Sequence, residues 1–452
     1  VSPETAASQP PPYPRPAYAW YVVVVLLLAY ILAFVDREVM SLLVKSIETS
    51  LRLSDTQMSL LLGGAFALLY TLLGIPIAWL ADHFNRRWIV FLGITLWSVM
   101  TCLCGFATGY WTLFAARVGV GVGEASLNPS ALSLLKDYFP PARMGLAIGL
   151  YTAGVSSGGG LANVIGGAIY PALAAAGPKS FPVLGTLAPW QQMFFMVGAP
   201  GLAVALLLLS IREPVRRGLA GGPRVRSLLF AGVAFAFARW RTYLVLFLAN
   251  SVLAILAYGI GFWIPEFLRR TYHLDDAGYG HFVELRGYIT IGAGLSGVLA
   301  GGWLCDRLRQ RHDDGYVRVC LIGFVFIAIG YCSFALMPTP GLALLMLVPA
   351  SFGAAVPTAA GVTAVVAIAP PELRAQLTAC YYFVLNFVGL FVGPTLVALV
   401  TDFYFRDPAQ LRYSLTLVAC VVTAAGILLL LYNLRYYRAS VAEARAWNRG
   451  SG

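Results

Sequence analysis

Asp36, Arg37 and Glu38 follow one another inside an apolar run that extends from Ala19 to Val44. Ala19 to Val35 carries no charge, which at about 1.5 Å per helical residue is most of a bilayer crossing. A charge at that depth costs a few kcal/mol or more unless it meets a partner or water, so three in a row argue for function. Successive helical residues project about 100° apart, so Asp36 and Arg37 can share a cavity-facing sector while Glu38 points elsewhere. A second constellation is Arg117-Val118-Gly119-Val120-Gly121-Val122-Gly123-Glu124. Arg117 and Glu124 lie two turns apart on one helix face, and the three glycines let a neighbouring backbone approach. Counted from the same membrane face, Asp36 and Arg117 sit at similar depth, which suggests an Asp36–Arg117 pair. Whether that carboxylate is paired or buried alone sets the protonation state it prefers, so a rearrangement can switch it. The expectation is that Asp36 carries a proton, with Glu124 a second titrating site or relay. Arg37 is left to hold an anionic substrate group.

Such side chains need a membrane scaffold around them. The 452 residues are 59% hydrophobic and only 11% charged, against roughly 25% charged in soluble domains. The apolar runs suit helices, not the alternating strands of an outer-membrane barrel. The net charge of +11 comes from Lys and Arg dispersed in short loops. That dispersal fits a positive-inside bias and not a nucleic-acid partner. Seven cysteines sit mostly inside apolar runs and read as small hydrophobes. Four scattered histidines show no metal-ligand spacing. No metal or organic cofactor is expected, the proton being the coupling ion, and enzymatic chemistry has little to work with.

Twelve spans are expected, near residues 18–46, 55–82, 86–107, 110–138, 141–171, 189–211, 241–270, 276–305, 316–337, 341–368, 372–402 and 410–436. The resulting fold class is an all-α membrane protein of two pseudo-symmetric six-helix bundles. Residues 1–17 form a disordered tail, 18–212 the first bundle, 213–240 a basic linker, 241–436 the second bundle and 437–452 a further tail. The larger share of the 31 basic residues falls on the side of the termini, which puts both in the cytoplasm and the protein in the cytoplasmic membrane. The linker carries Arg216, Arg217, Arg224 and Arg226, then a run from Ser227 to Ala238 that is too short to cross and suits the interface. Glu284 and Arg286 near the outer end of the eighth span read either as a rim ion pair or as cavity residues.

The two halves echo each other. Gly74 to Arg87, with Asp82, Arg86 and Arg87, follows the second span, and Gly302 to Arg311, with Asp306 and Arg307, follows the eighth, about half the chain later. A transporter with its site between two repeats is the reading this supports. The duplicated loop resembles the G-x-x-x-D-R-x-G-R-R signature of the major facilitator superfamily. The second copy keeps Gly302, Asp306, Arg307 and Arg311; the first has Ala78, His83 and Asn85 at departures from the pattern. The motif implies a latch, in which a helix-end carboxylate pairs with loop arginines and holds the halves in one state.

Arg117 to Gly123 resembles the R-x-x-x-G-x-G motif of proton-coupled members. Gly154 to Gly167 resembles the fifth-helix antiporter motif, with Ala162-Asn163 replacing Gly-Pro, which leaves exchange and symport both open. Small residues in the fifth and eighth spans imply rocking and a lateral opening. Phe34 to Glu38 together with Arg117, Gly123, Glu124 and Ala125 is similar to the spinster group of the superfamily. That resemblance implies a lysophospholipid or sphingosine 1-phosphate-like substrate, carried by a monomer. Arg37 then holds the phosphate, and Phe66, Tyr70, Tyr258, Phe262, Tyr382 and Phe383 line a tail pocket. An organic-anion symporter or a drug exporter shares the same pattern. A proton-independent scramblase and a membrane-embedded enzyme are the readings from other classes.

Overall fold

The structure, a computed structural model, describes residues 13–182, 185–216, 231–370 and 372–450. Twelve helical spans carry the chain back and forth. Span 1 is Pro16–Leu42. Span 2 opens with Asp55–Ser59 and a π-helical stretch, Leu60–Gly64, before Ala65–His83. Span 3 is Arg86–Cys104, span 5 Pro141–Thr152 with Gly154–Ala176, and span 6 Pro189–Leu208. Span 7 runs Tyr243–Tyr272, span 8 Asp276–Arg309, span 9 Gly315–Tyr331 and span 10 Pro340–Ile368. Span 11 runs Arg374–Phe387 and on to Phe405, and span 12 is Leu411–Gly450.

Eleven of these are long and apolar enough to cross a bilayer. Span 4 consists of two shorter helices, Tyr110–Glu124 and Leu127–Tyr138. The break has a local cause: Pro129 has no N–H for the carbonyl four residues back, and its ring crowds that turn. Proline shapes spans 7 and 11 in the same way. Pro265 follows the π stretch Ile255–Ile260, and Pro394 follows Val388–Val392. Each frees a carbonyl four residues upstream, Gly261 and Leu390, and that of Gly261 accepts from a side chain of span 8.

An even number of spans returns both chain ends to one side, here the termini end; the other is the far end. Between spans 1 and 2 the far end carries a short helix, Val44–Leu51. Between spans 5 and 6 it carries a hairpin, Lys179–Phe181 paired antiparallel with Gly185–Leu187 so that Ser180 faces Thr186.

The two six-span bundles meet along spans 5 and 8, where glycines bring backbone onto backbone. A Cβ at Gly167 would lie 2.5 Å from the Gly280 carbonyl oxygen, and one at Gly287 2.6 Å from that of Gly160. The seam is therefore shut from the far end to mid-depth, with no lateral opening there. Further toward the termini end, Gly292 and Gly302 face open space.

One expected boundary needs correction. Residues 437–450 are not a separate tail but continue span 12, because Arg438 and Arg445 dock on Asp314 and Asp313 in the loop before span 9. Of the linker, Ala231–Ala238 is a helix tied to span 11 by Gly232 N–H donating to Gln376 at 2.8 Å. Arg217, Arg224 and Arg226 lie outside the described residues.

Candidate functional site

Span 1 delivers Asp36, Arg37 and Glu38 to mid-depth, and each meets a different neighbour. Arg37 donates from Nη2 to Glu124 Oε2 at 2.7 Å, with both side chains almost wholly buried. Glu124 is the last residue before the break in span 4, so the break sets where this carboxylate ends up. The guanidinium also lies over Phe66, Phe34 and Tyr70, at 4.3, 4.8 and 5.2 Å from the ring centroids. Weakly hydrated and planar, guanidinium suits an aromatic cage of this kind. Tyr258 of span 7 reaches the same group from the second bundle. Arg37, expected to be free for an anion, is thus neutralised by Glu124.

Asp36 does not form the expected ion pair with Arg117. Its Oδ2 accepts from Thr101 at 3.2 Å, and its Oδ1 is buried without a hydrogen-bond partner. Arg117 instead donates to the Asp36 backbone carbonyl at 3.4 Å and to that of Leu61 at 3.5 Å. Leu61 lies in the π stretch of span 2, where the changed register leaves carbonyls free for side chains. The two charges are neighbours, as their depths suggested, but backbone oxygens occupy the arginine.

Arg286 and Glu38, whose roles the sequence left open, and Asn163 also contribute. Arg286 is buried and crosses from span 8 to donate to Asn163 Oδ1 at 2.8 Å and to the Gly261 carbonyl at 2.9 Å. The second acceptor is the one Pro265 frees, and Asn163 stands where the fifth-helix motif has proline. Those two positions were the available signals. Glu284 accepts from Tyr288 at 2.9 Å, so the rim pair with Arg286 does not exist. Glu38 enters no ion pair among the described residues, and its buried Oε2 has no hydrogen-bond partner. Beside Phe34, Tyr30 stacks on Tyr151 at 4.6 Å, with Asn128 bonded to both hydroxyls.

Of the aromatic residues expected to line a tail pocket, Phe66, Tyr70 and Tyr258 surround Arg37. Phe262 is fully buried behind Tyr258, ring centroids 5.9 Å apart. Tyr382 is exposed, and Phe383 begins a stack with Phe387 and Phe391. Neither touches the Arg37 cage among the described residues.

The expected latch is also placed differently. Arg86 pairs with Asp137 and, at 2.6 Å, with Glu213, and Arg87 donates to Glu213 and to the Ile211 carbonyl at 3.2 and 3.1 Å. The Asp82 carbonyl accepts from Arg216. All of these partners belong to the first bundle or to the start of the linker that follows it. In the second copy Arg307 lies over Trp303, Gly302 faces open space, and Asp306 and Arg311 enter no ion pair among the described residues. No ion pair or hydrogen bond among those residues joins the bundles at the termini end. Apart from Arg286–Asn163 along the seam, the joining bonds are at the far end. Arg270 of span 7 binds Glu48 at 2.9 Å and Asp55 at 2.8 Å, and Thr56 donates to Asp402 of span 11 at 2.8 Å. Tyr279 of span 8 donates to the Leu42 carbonyl at 2.9 Å.

Two six-helix bundles around a buried charged site, clasped at one end, define a membrane transporter. The chain belongs to the Major Facilitator Superfamily, whose model matches residues 26–312. Within it the chain is a spinster-like member. It is similar to the inward-facing, unoccupied crystal structure of a bacterial homolog of the human lysosomal transporter spinster, with TM-score 0.74 and 26% identity, covering 96% of this chain and 99% of that one. Among characterised relatives, it is 28% identical to an MFS-type efflux pump of Mycolicibacterium smegmatis, over 95% of this chain and 96% of the pump. It is 25% identical to a sphingosine-1-phosphate transporter of Danio rerio, over 67% of this chain and 60% of that protein.

Proposed function

We propose that the protein is a monomeric, proton-coupled transporter that moves an amphipathic anionic lipid, lysophospholipid or sphingosine 1-phosphate-like, by alternating access. In this reading the termini face the cytoplasm and the far end faces outward across the cytoplasmic membrane. The observation that carries it is Arg37, a buried guanidinium held by one carboxylate inside an aromatic cage. A phosphate can take the place of Glu124 on Arg37 only if the carboxylate is relieved of its charge. A proton on Glu124 therefore frees Arg37 for the anion, and loss of that proton returns Arg37 to Glu124 and expels it. Asp36, with one oxygen unpartnered, receives and passes on the proton, and Arg117 holds its backbone in place. The rings of Phe66, Tyr70 and Tyr258 give the lipid an apolar wall next to its head group.

The test is uptake of a labelled lysophospholipid into proteoliposomes with and without an imposed pH difference. Wild type should need the gradient, and Asp36→Asn should remain folded while losing the gradient-driven component. Undiminished gradient-driven uptake by Asp36→Asn would sink the assignment, and gradient-independent uptake by wild type would favour a scramblase. The near full-length similarity to an efflux pump keeps a drug exporter as a second reading. Displacement of a bound drug by low concentrations of lysolipid, where sugar acids have no effect, separates the two.

A further inference from the structure

At the far end, three carboxylates share one guanidinium across the two bundles. Arg270 donates to Glu48 at 2.9 Å, to both oxygens of Asp55 at 2.8 and 2.9 Å, and to Glu266 at 2.6 Å. Glu48 and Asp55 belong to the first bundle, whereas Glu266 and Arg270 belong to span 7 of the second. With every carboxylate ionised the cluster carries a net charge of −2, and all four side chains are at most 13% exposed. Like charges so placed push the bundles apart. One oxygen, Glu48 Oε1, is buried without a hydrogen-bond partner. Beside it lies a cavity of about 530 Å³ lined by Lys45, Arg269, His273 and Pro408 among others, which opens at the far face.

We propose that Glu48 is a second proton-binding site, separate from Asp36, whose proton locks the far end of the transporter shut. The proposal rests on the alternating-access reading above. The lone oxygen is the natural place for the proton, and the cavity is its route from the compartment the far end faces. The other charged groups around Glu48 are Lys45 on its own helix, Arg52 and Asp55 at the entry to span 2, and Glu266, Arg269, Arg270 and His273 on span 7. Asp402 and Asp407 lie on the adjoining end of span 11 and its loop. Of the cations, Arg270 alone binds Glu48, and Arg269 is taken by Asp276 at 2.9 Å.

The sign follows from the closed state. Burial first, with Asp55 and Glu266 beside it, outweighs Arg270 and pushes the Glu48 carboxyl up to about 9. Once the bundles separate, a hydrated glutamate returns to an ordinary value of about 4.3. The closed state holds the proton more tightly, so low pH on the far side favours closure and rising pH favours opening. Between those two values the ratio of closed to open falls roughly tenfold per pH unit.

The test places spin labels at Ser50→Cys and Ala409→Cys, with native cysteines replaced by alanine, and measures the distance across the far end from pH 5 to 9. Wild type should pass from a short to a long distance as pH rises. Glu48→Gln should hold one distribution across the range, Arg270→Ala should stay open throughout, and His273→Ala should titrate as wild type does. A wild-type distance that ignores pH, or a Glu48→Gln protein that titrates like wild type, overturns the proposal. The wild-type titration decides by itself if a variant fails to fold. Gradient-driven lipid uptake without a pH-dependent distance refutes the lock and leaves the transport reading standing. A pH-dependent distance with no lipid uptake does the reverse.

Discussion

Arg37 serves both stability and recognition, and substitutions separate the two. Its pair with Glu124 is nearly dry, so removing one partner strands the other as an uncompensated buried charge. Arg37→Ala should destabilise the protein by about 3–5 kcal/mol, read as a fall in thermal midpoint in detergent. Adding Glu124→Gln should restore much of the loss, because the stranded carboxylate is gone; a double variant no more stable than Arg37→Ala would contradict this account. Arg37→Lys keeps the charge but not the planar fork over Phe66. It should fold and lose lysolipid binding by tenfold or more in a competition assay. The sequence revealed the triad because charges inside an apolar run stand out. It did not reveal the partners. Neighbouring residues diverge by a third of a turn, and the π stretch in span 2 alters which carbonyls Arg117 meets, so equal depth was insufficient to pair Asp36 with it.

Among the elements, the clearest contrast is between glycines on span 8. At Gly287 a methyl group would meet the Gly160 carbonyl at 2.6 Å, whereas at Gly302 it would meet nothing within 4 Å. Gly287→Ala should cost about 1–3 kcal/mol and slow transport by wedging spans 5 and 8 apart; Gly302→Ala should leave stability within about 0.5 kcal/mol of wild type. Equal effects at both positions would mean that the seam is not the contact that matters. Span boundaries were largely legible, since hydropathy marks them. The extension of span 12 was not, because residues 437–450 look like a polar tail until Asp314 supplies partners. That carboxyl is pushed up by burial but pulled further down by Arg318 and Arg438, and it ends below its ordinary value. The staple is therefore complete above the unfolded value of about 3.9 and is lost as pH falls through the folded one. At neutral pH, Asp314→Asn should speed amide exchange around Arg438 and Tyr437 while leaving spans 1 to 6 unchanged.

For the whole molecule, the half-chain repeat was enough to announce two bundles and a site between them, but not which end is closed. Both ends of a rocking transporter use residues fixed in the sequence, and the state depends on which set is engaged. The duplicated loops drew attention to the termini end, where Arg86 binds Asp137 of its own bundle and Glu213 of the adjoining linker. Closure is made at the far end, by Arg270 with Glu48 and Asp55 and by Asp402 accepting from Thr56. A cysteine at Tyr258, beside Arg37, should accordingly react with an impermeant maleimide added on the termini side of oriented vesicles and not with one added on the far side. Combining Arg270→Ala with Asp402→Asn removes two of the clasps that span the bundles at the far end. Labelling from the far side should then rise severalfold and labelling from the termini side should fall, because opening one end closes the other in a rocking motion. If both rates rise together, the double variant has loosened the bundles without exchanging one state for the other, and the far-end bonds are adhesive contacts with no part in the switch.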